Sequence, residues 1–221
     1  MLLGSGGLVG FRRAPGWPAV LSDGPVLLRP YRRSDATVWS EVRRANRAWL
    51  APWESSLAGD WDELNSPATF RWVYRDQRRS GRSGEGMPFA VCLFEGGVER
   101  LVGHINVGNI VRRAFCSGYV GYWVDRRVAG RGVIPTALAL VVDHAFGPGG
   151  LHRIEVNIRP ENGPSRRVVE KLGFREEAYH PRYMHIDGAW RDHIGYAMTS
   201  EEVAAEGGLL ARWHRLRART P

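Results

Sequence analysis

Residues 119–135 read YVGYWVDRRVAGRGVIP, and this stretch decides the fold. A strand over 115–124 runs into a glycine-containing loop, and the loop runs into a helix from about Val133 to Phe146. The first turn of a helix has backbone N–H groups without intrahelical partners, and the helix dipole adds partial positive charge there. Glycines let a ligand approach that backbone closely. Such a junction suits a phosphate or pyrophosphate. Gly130 and Gly132 supply clearance, and Arg126, Arg127 and Arg131 supply countercharge. Other phosphate loops fit badly. The Gly-Lys-Ser/Thr of a Walker loop is absent, and Pro135 stands where the dinucleotide fingerprint needs its third glycine. The plain alternative is a strand–helix turn that binds nothing.

Working outward, the chain reads as a mixed sheet with helices on its faces. Upstream, "MPFAVCLF" at 87–94 and "RLVGHINVGNI" at 100–110 precede the 115–124 strand, with turn signals between them, so the three form an antiparallel meander. Further upstream lie a strand at 26–31, a helix from Ala36 to about Leu50, an irregular loop at 51–66 and a helix from Pro67 to Arg79. Downstream come a strand at 153–158, a helix from Ser165 to Leu172, strands at 174–186 and 191–198, and a terminal helix at 201–218. That makes an α/β (α+β) fold with six to seven strands. Residues 1–24, rich in Gly, Pro and Trp, read as an appended arm, and residues 201–221 as a C-terminal helix and basic tail.

Composition narrows the classes. The 221 residues suit one domain, and 43% hydrophobic with 24% charged residues is the balance of a globular protein. No apolar run approaches the ~18 residues of a membrane span. The N-terminus carries its arginines after the apolar stretch, the wrong order for a signal peptide, and the expectation is a cytoplasmic protein. Cys92 and Cys116 read as small core residues rather than a disulfide or metal pair. His180, His185 and His193 match no zinc spacing, so no metal is expected, and no G-x-S-x-G elbow points to a hydrolase. The net charge is +8, with Lys171 the one lysine among 31 basic residues. The arginines look scattered along the chain without an RNA-binding signature, so no specific nucleic-acid partner is expected.

Two blocks together, "YWVDRRVAGRGVIPTAL" and "RIEVNIRPENGPSRRVVEKLGF", resemble the GNAT superfamily of acetyl-CoA-dependent N-acetyltransferases. The first is similar to that family's R/Q-x-x-G-x-G/A loop and the second to its strand–Asn-x-x-Ser–helix–LGF segment. The resemblance covers residues 24–200 and implies a GNAT domain over 25–200. The loop "WLAPWESS" at 49–56 further resembles the branch that acetylates the N-terminal alanine or serine of ribosomal proteins (RimJ/RimL-like). Arg127-x-x-Gly130-x-Gly132 fits the loop pattern. A frame shifted by two residues puts Ala129 at the Gln/Arg position and Ile134 at the Gly/Ala position.

The resemblance implies a splayed strand pair that holds acetyl-CoA, used as co-substrate with no metal. Backbone near Val124 would meet the pantetheine. The amides of Ala129, Gly130, Arg131, Gly132, Val133 and Ile134 would hold the pyrophosphate, with Asn157 beside the gap and Asn162 on the pantetheine or nucleotide. It implies that Ser165 protonates the thiolate; as a residue alone, Ser165 reads equally as a helix cap. Glu155 is the candidate base, or a salt-bridge partner of Arg153. Trp53, Glu54 and Tyr122 are candidate acceptor-binding residues, with a surface carboxylate and a core aromatic as the plain readings of the last two. The expected acceptor is a protein N-terminal amine, with ribosome association and a monomer or homodimer. The rivals are a small amine such as an aminoglycoside or polyamine, and a non-catalytic acyl-CoA-binding or RNA-associated module.

Overall fold

The computed structural model describes residues 14–219. In chain order the elements are β1 (Leu21–Asp23), β2 (Val26–Arg29), α1 (Ala36–Ala45), α2 (Arg47–Leu50), α3 (Trp61–Leu64), α4 (Pro67–Ser83), β3 (Met87–Glu95), β4 (Val98–Val111), β5 (Ser117–Val124), α5 (Val133–Phe146), β6 (Arg153–Ile158), α6 (Gly163–Leu172), β7 (Arg175–Ile186), β8 (Ala189–Thr199), α7 (Ser200–Ala204) and α8 (Leu209–Ala218). The strands form one sheet in the order β1-β2-β3-β4-β5-β6-β8-β7. Every pair is antiparallel except β5–β6, which α5 connects in parallel.

The sheet has a hydrophobic layer on each face, and β3 shows why its sequence is one continuous apolar run. Side chains alternate across a strand. Met87, Phe89, Val91 and Leu93 enter the larger core with α5, whereas Ala90 and Cys92 enter a smaller one with Tyr31, Trp39, Phe70 and Tyr74. A strand covered on both faces has no polar positions to alternate with. Burial pushes the Cys92 thiol up to about 12, consistent with an inert core residue. In α5, Ala137, Leu138, Ala139, Val141, Val142 and Ala145 are fully buried, because β-strands and α8 both pack on this helix.

The structure differs from the sequence reading at three places. It has eight strands rather than six or seven, because Leu21–Asp23 pairs with β2. The part of the arm before Ala14 lies outside the described residues. From there on the segment is integrated: Trp17 is buried, meets Phe89 edge-on at 5.5 Å, and fills a notch at Gly81 where a Cβ would lie 2.2 Å from its indole nitrogen. The first long helix is broken at Asn46, whose side chain turns back to hydrogen-bond Val42 O at 2.8 Å. The terminal helix is broken at Gly207 and Gly208, both at positive φ, and α8 restarts with Asp143 of α5 accepting from the N–H groups of Leu209 (2.6 Å) and Leu210 (2.9 Å).

Candidate active site

β5 and β6 pair only from Ser117↔Arg153 to Tyr119↔Glu155. Beyond that point β5 follows β4, from Tyr119↔Gly108 to Val124↔Gly103, while β6 follows β8 along its full length. The strands separate, and the gap opens into a cleft of about 1620 Å³. Asp125 N donates to Val102 O at 2.7 Å, which fixes the alternation. Residues 121, 123 and 125 bond toward β4, so the peptide groups of Tyr122 and Val124 face the gap. The Val124 carbonyl is taken by the Trp49 indole N–H at 3.0 Å, so Val124 presents its N–H on that edge beside the peptide group of Tyr122.

At one end of the cleft the loop from Asp125 to Gly132 forms a cradle. Asp125 is buried. Burial alone would raise its pKa, but hydrogen bonds from the Arg127 side chain and backbone and from Asn46 outweigh that and hold it low. Asn46 also accepts from Arg126 N at 2.9 Å, so a single buried amide ties the α1–α2 break to the loop. Gly130 and Gly132 both have φ +80°, and a Cβ at Gly130 would project into open space. Within the loop, Ala129 N bonds to Arg126 O and Arg131 N to Val128 O. The N–H groups of Gly130, Gly132, Val133 and Ile134 are left for a ligand at the start of α5, where the dipole favours an anion. The Arg127 side chain pairs with Asp125 and that of Arg131 with Glu95, so two of the three arginines expected as countercharge are already matched. The outer wall is α8: Trp213 is buried and donates to Thr136 Oγ1 at 2.8 Å, and Arg217 of α8 lines the cleft with Arg167 and Lys171 of α6.

The opposite wall is the start of α6. Asn162 is its cap, with Oδ1 accepting from Ser165 N at 3.2 Å. Ser165 is therefore not the cap, and its hydroxyl lies 2.8 Å from the Tyr122 hydroxyl. Burial pushes the Tyr122 phenol up to about 12, partly offset by the Ser165 hydrogen bond, so it stays protonated at neutral pH. Asn157 lines the gap with a buried, unpartnered carbonyl oxygen, a ready acceptor for an amide N–H. These features fit an extended acyl-pantetheine chain ending in a pyrophosphate: an open backbone edge, an orphaned acceptor and an anion cradle in line.

The acceptor end is assembled from distant segments. Trp53 and Glu54 line that part of the cleft, and Glu54 is not a free carboxylate. It pairs with Arg43 at 2.5 Å, and the buried Arg43 guanidinium lies over the rings of Trp39, Trp61 and Trp123. Arg159 stacks on Trp53 at 5.2 Å and donates to Pro52 O. The loop is also bolted to the β7–β8 tip: Ser56 N donates to His185 O, Asp187 N to Glu54 O, and Gly188 N to Ser56 Oγ. β4 contributes His104 and Asn106, which sequence reasoning missed. Both line the cleft, and each has a buried polar side-chain atom without a partner, Nδ1 and Oδ1. His104 stacks on Tyr31, and burial lowers its pKa to about 4, so it is neutral. Glu155 is not brought into the cleft wall; Arg153 Nε donates to its carboxylate at 2.7 Å. The signals for the missed residues were weak. Asn46 interrupts a helical pattern, and His104 and Asn106 alternate on one face of a strand.

Residues 26–175 match the family model described as an acetyltransferase (GNAT) domain. The chain is 39% identical over 177 residues to "Probable N-acetyltransferase YjcK" of Bacillus subtilis, covering 80% of this chain and 95% of that one. It is 29% identical to the [ribosomal protein uS5]-alanine N-acetyltransferase of Escherichia coli, covering 80% and 89%. A solved structure of Mycobacterium smegmatis RimJ in complex with CoA-disulfide superposes with a TM-score of 0.85 at 39% identity, covering 92% and 96%. The chain belongs to the GNAT acetyltransferase family. It is an acetyl-CoA-dependent N-acetyltransferase of the RimJ/RimL type. Among the described residues no group of side chains is arranged to hold a metal ion, and no helix is long and apolar enough to cross a membrane.

Proposed function

We propose that the acceptor is the N-terminal α-amine of a protein, with a ribosomal protein as the favoured class, and that transfer is direct within a ternary complex. The observation that carries this reading is the polarity of the acceptor end. A polyamine or aminoglycoside is a polycation and calls for several free carboxylates. Here Glu54 is neutralised by Arg43, Asp62 pairs with Arg44, and Asp60 caps α3. The cleft wall instead carries neutral polar side chains, the His104 imidazole and the Asn106 amide with its unpartnered Oδ1, suited to one amine or peptide N–H. The relatives acting on ribosomal-protein N-termini support the same class. The non-catalytic reading loses support because Arg212 and Arg215 of the C-terminal segment pair with Glu206, leaving only Arg217 and Arg219 of the basic tail without a carboxylate among the described residues. A ribosomal substrate also assigns the protein to the cytoplasm.

An N-terminal amine has a pKa of about 7.7–8.0, so much of it is already neutral near that pH and a weak acceptor suffices to orient it. This removes the need for Glu155 as a base. The neutral amine attacks the thioester carbonyl, and the Val124 N–H donates to the oxygen as it becomes negative. The C–S bond breaks, and Ser165 gives its proton to the departing thiolate. Tyr122, 2.8 Å away and protonated, resupplies Ser165 and is reprotonated from water, which takes up the amine's proton in exchange. The amide nitrogen's extra proton leaves through the acceptor end to water.

The test is CoA release over a panel of peptides with Ala, Ser, Thr or Met N-termini, their N-blocked controls, an aminoglycoside and spermine, with mass confirmation. Acetylation of free-N-terminus peptides that is lost on blocking is expected. Turnover on the small amines alone overturns the acceptor and leaves the acetyltransferase intact.

A further inference from the structure

A second cavity of about 1090 Å³ lies on the same face of the sheet as His104, between α4, the Arg33–Asp35 turn and the segment around Trp17. Its wall carries Arg33, Arg75, Arg78, Arg79 and Arg82, all exposed, and no Asp or Glu lines it. The arginines that look scattered in sequence converge here because α4 sets Arg75, Arg78, Arg79 and Arg82 three and four residues apart, on one face. Tyr31 and Tyr74 form the floor.

Unmatched arginines occur elsewhere among the described residues too, at Arg47, Arg113, Arg126 and Arg191 for example, while Arg29, Arg43, Arg127, Arg131, Arg153, Arg175 and Arg212 pair with carboxylates. What marks this groove is that several unmatched ones share one wall. In the groove, among the described residues, only Arg79 has such a partner, Asp76 at 2.6 Å. Residues 1–13 contain no Asp or Glu to supply the missing charge. Arg33 and Arg78 lie over the ring of Tyr74, and Arg78 donates to its hydroxyl, which lowers the Tyr74 pKa. A set of like charges held together without counterions is a footprint for a polyanion. Trp72, 67% exposed and three residues before Arg75, adds an unpaired aromatic face beside the charges.

We infer that this groove binds the phosphodiester backbone of single-stranded RNA, the arginines taking successive phosphates and Trp72 stacking on a base. Arginine forks fit phosphate oxygens, and an aromatic platform distinguishes RNA from an acidic peptide. The floor residue Tyr31 stacks on His104 at 5.5 Å, and His104 lines the acceptor end. One pair of rings therefore separates the RNA groove from the acetylation cleft, so a bound RNA would hold an RNA-associated protein beside the cleft. The RNA site stands whether or not the acceptor proves to be ribosomal.

The experiment is fluorescence anisotropy of the full chain with a labelled RNA of about 20 nucleotides, over a salt series. The triple variant Arg75→Gln/Arg79→Gln/Arg82→Gln is compared with Arg100→Gln/Arg113→Gln/Arg219→Gln, which removes equal charge elsewhere. The groove variant should bind about tenfold more weakly and lose roughly two from the log–log salt slope, at about 0.7 per phosphate. The control should stay within about twofold. Trp72→Ala should weaken RNA binding about fivefold or more while leaving polyglutamate binding unchanged. Both triple variants should acetylate a short peptide at the wild-type rate, which certifies their fold. No binding by the wild type, equal losses in both triples, or polyglutamate bound as tightly as RNA would each overturn the assignment.

Discussion

The two ends of the cleft are built by different means. The cofactor end is mainly backbone: the Val124 edge, the amides of Gly130, Gly132, Val133 and Ile134, and the Asn162-capped start of α6, drawn from two short segments. The acceptor end is side chain: Trp53 and Glu54 from a loop, His104 and Asn106 from β4, held in place by Arg43, Arg159 and the β7–β8 tip. On the proposed reading the backbone donors bind the acyl-CoA. Side chains gathered from several elements can be exchanged without disturbing the loop, and on the same reading they choose the acceptor.

This division can be broken most sharply at Gly132. An aspartate there would sit at φ +80°, with its Cβ 3.4 Å from the Trp213 ring and a negative charge in the anion cradle. Acetyl-CoA affinity should fall about 100-fold, ~3 kcal/mol, by calorimetry. A folded variant with unchanged affinity would mean the pyrophosphate lies elsewhere.

The next effect belongs to the acceptor end. His104 has its pKa lowered from 6.5 to about 4 by burial, with Arg43 adding to it and a backbone hydrogen bond opposing. Between those values the unfolded chain takes up a proton that the folded chain refuses. The stability contributed by neutral His104 is therefore complete above about pH 6.5 and declines as pH falls toward 4, by up to about 3 kcal/mol. Urea unfolding at several pH values should show this slope, and His104→Asn should flatten it. A slope surviving in His104→Asn would assign the acid sensitivity to another group.

Between the two ends lies the Tyr122–Ser165 pair. Ser165→Ala should lower kcat by about 100-fold with the acetyl-CoA KM nearly unchanged, and Tyr122→Phe by about tenfold. A kcat unaffected by Ser165→Ala would leave thiolate protonation to Tyr122 or water. The smallest effect is expected at Asn106→Ala: about a tenfold loss in kcat/KM for the peptide, ~1.4 kcal/mol, with acetyl-CoA binding intact. A loss of acetyl-CoA binding in that variant would erase the distinction between the ends.

The strand–glycine loop–helix of residues 119–135 was readable because its elements are local. Strand alternation, positive-φ glycines and helix periodicity depend on neighbours within a few residues. The Asn162 and Ser165 segment was readable too, although which residue caps the helix needed the coordinates. Glu155 was misleading. Period two places it on the same face as Asn157, but it is held by Arg153 outside the cleft wall. The arm was equally deceptive, since nothing in Trp17 predicts that Gly81 leaves a notch for it.

The sequence alone thus determined the meander, the parallel crossover, the glycine cradle and the family to which they belong, because hydrogen-bonding periodicity and backbone freedom are written in consecutive residues. Only the tertiary structure decided that Glu54 is neutralised by Arg43, that His104 and Asn106 line the same cleft as Trp53, that Tyr122 meets Ser165, and that arginines from α4 and Arg33 converge in one groove. Those outcomes depend on which side chains a folded sheet brings together across tens of residues, and on which charges find partners when it does.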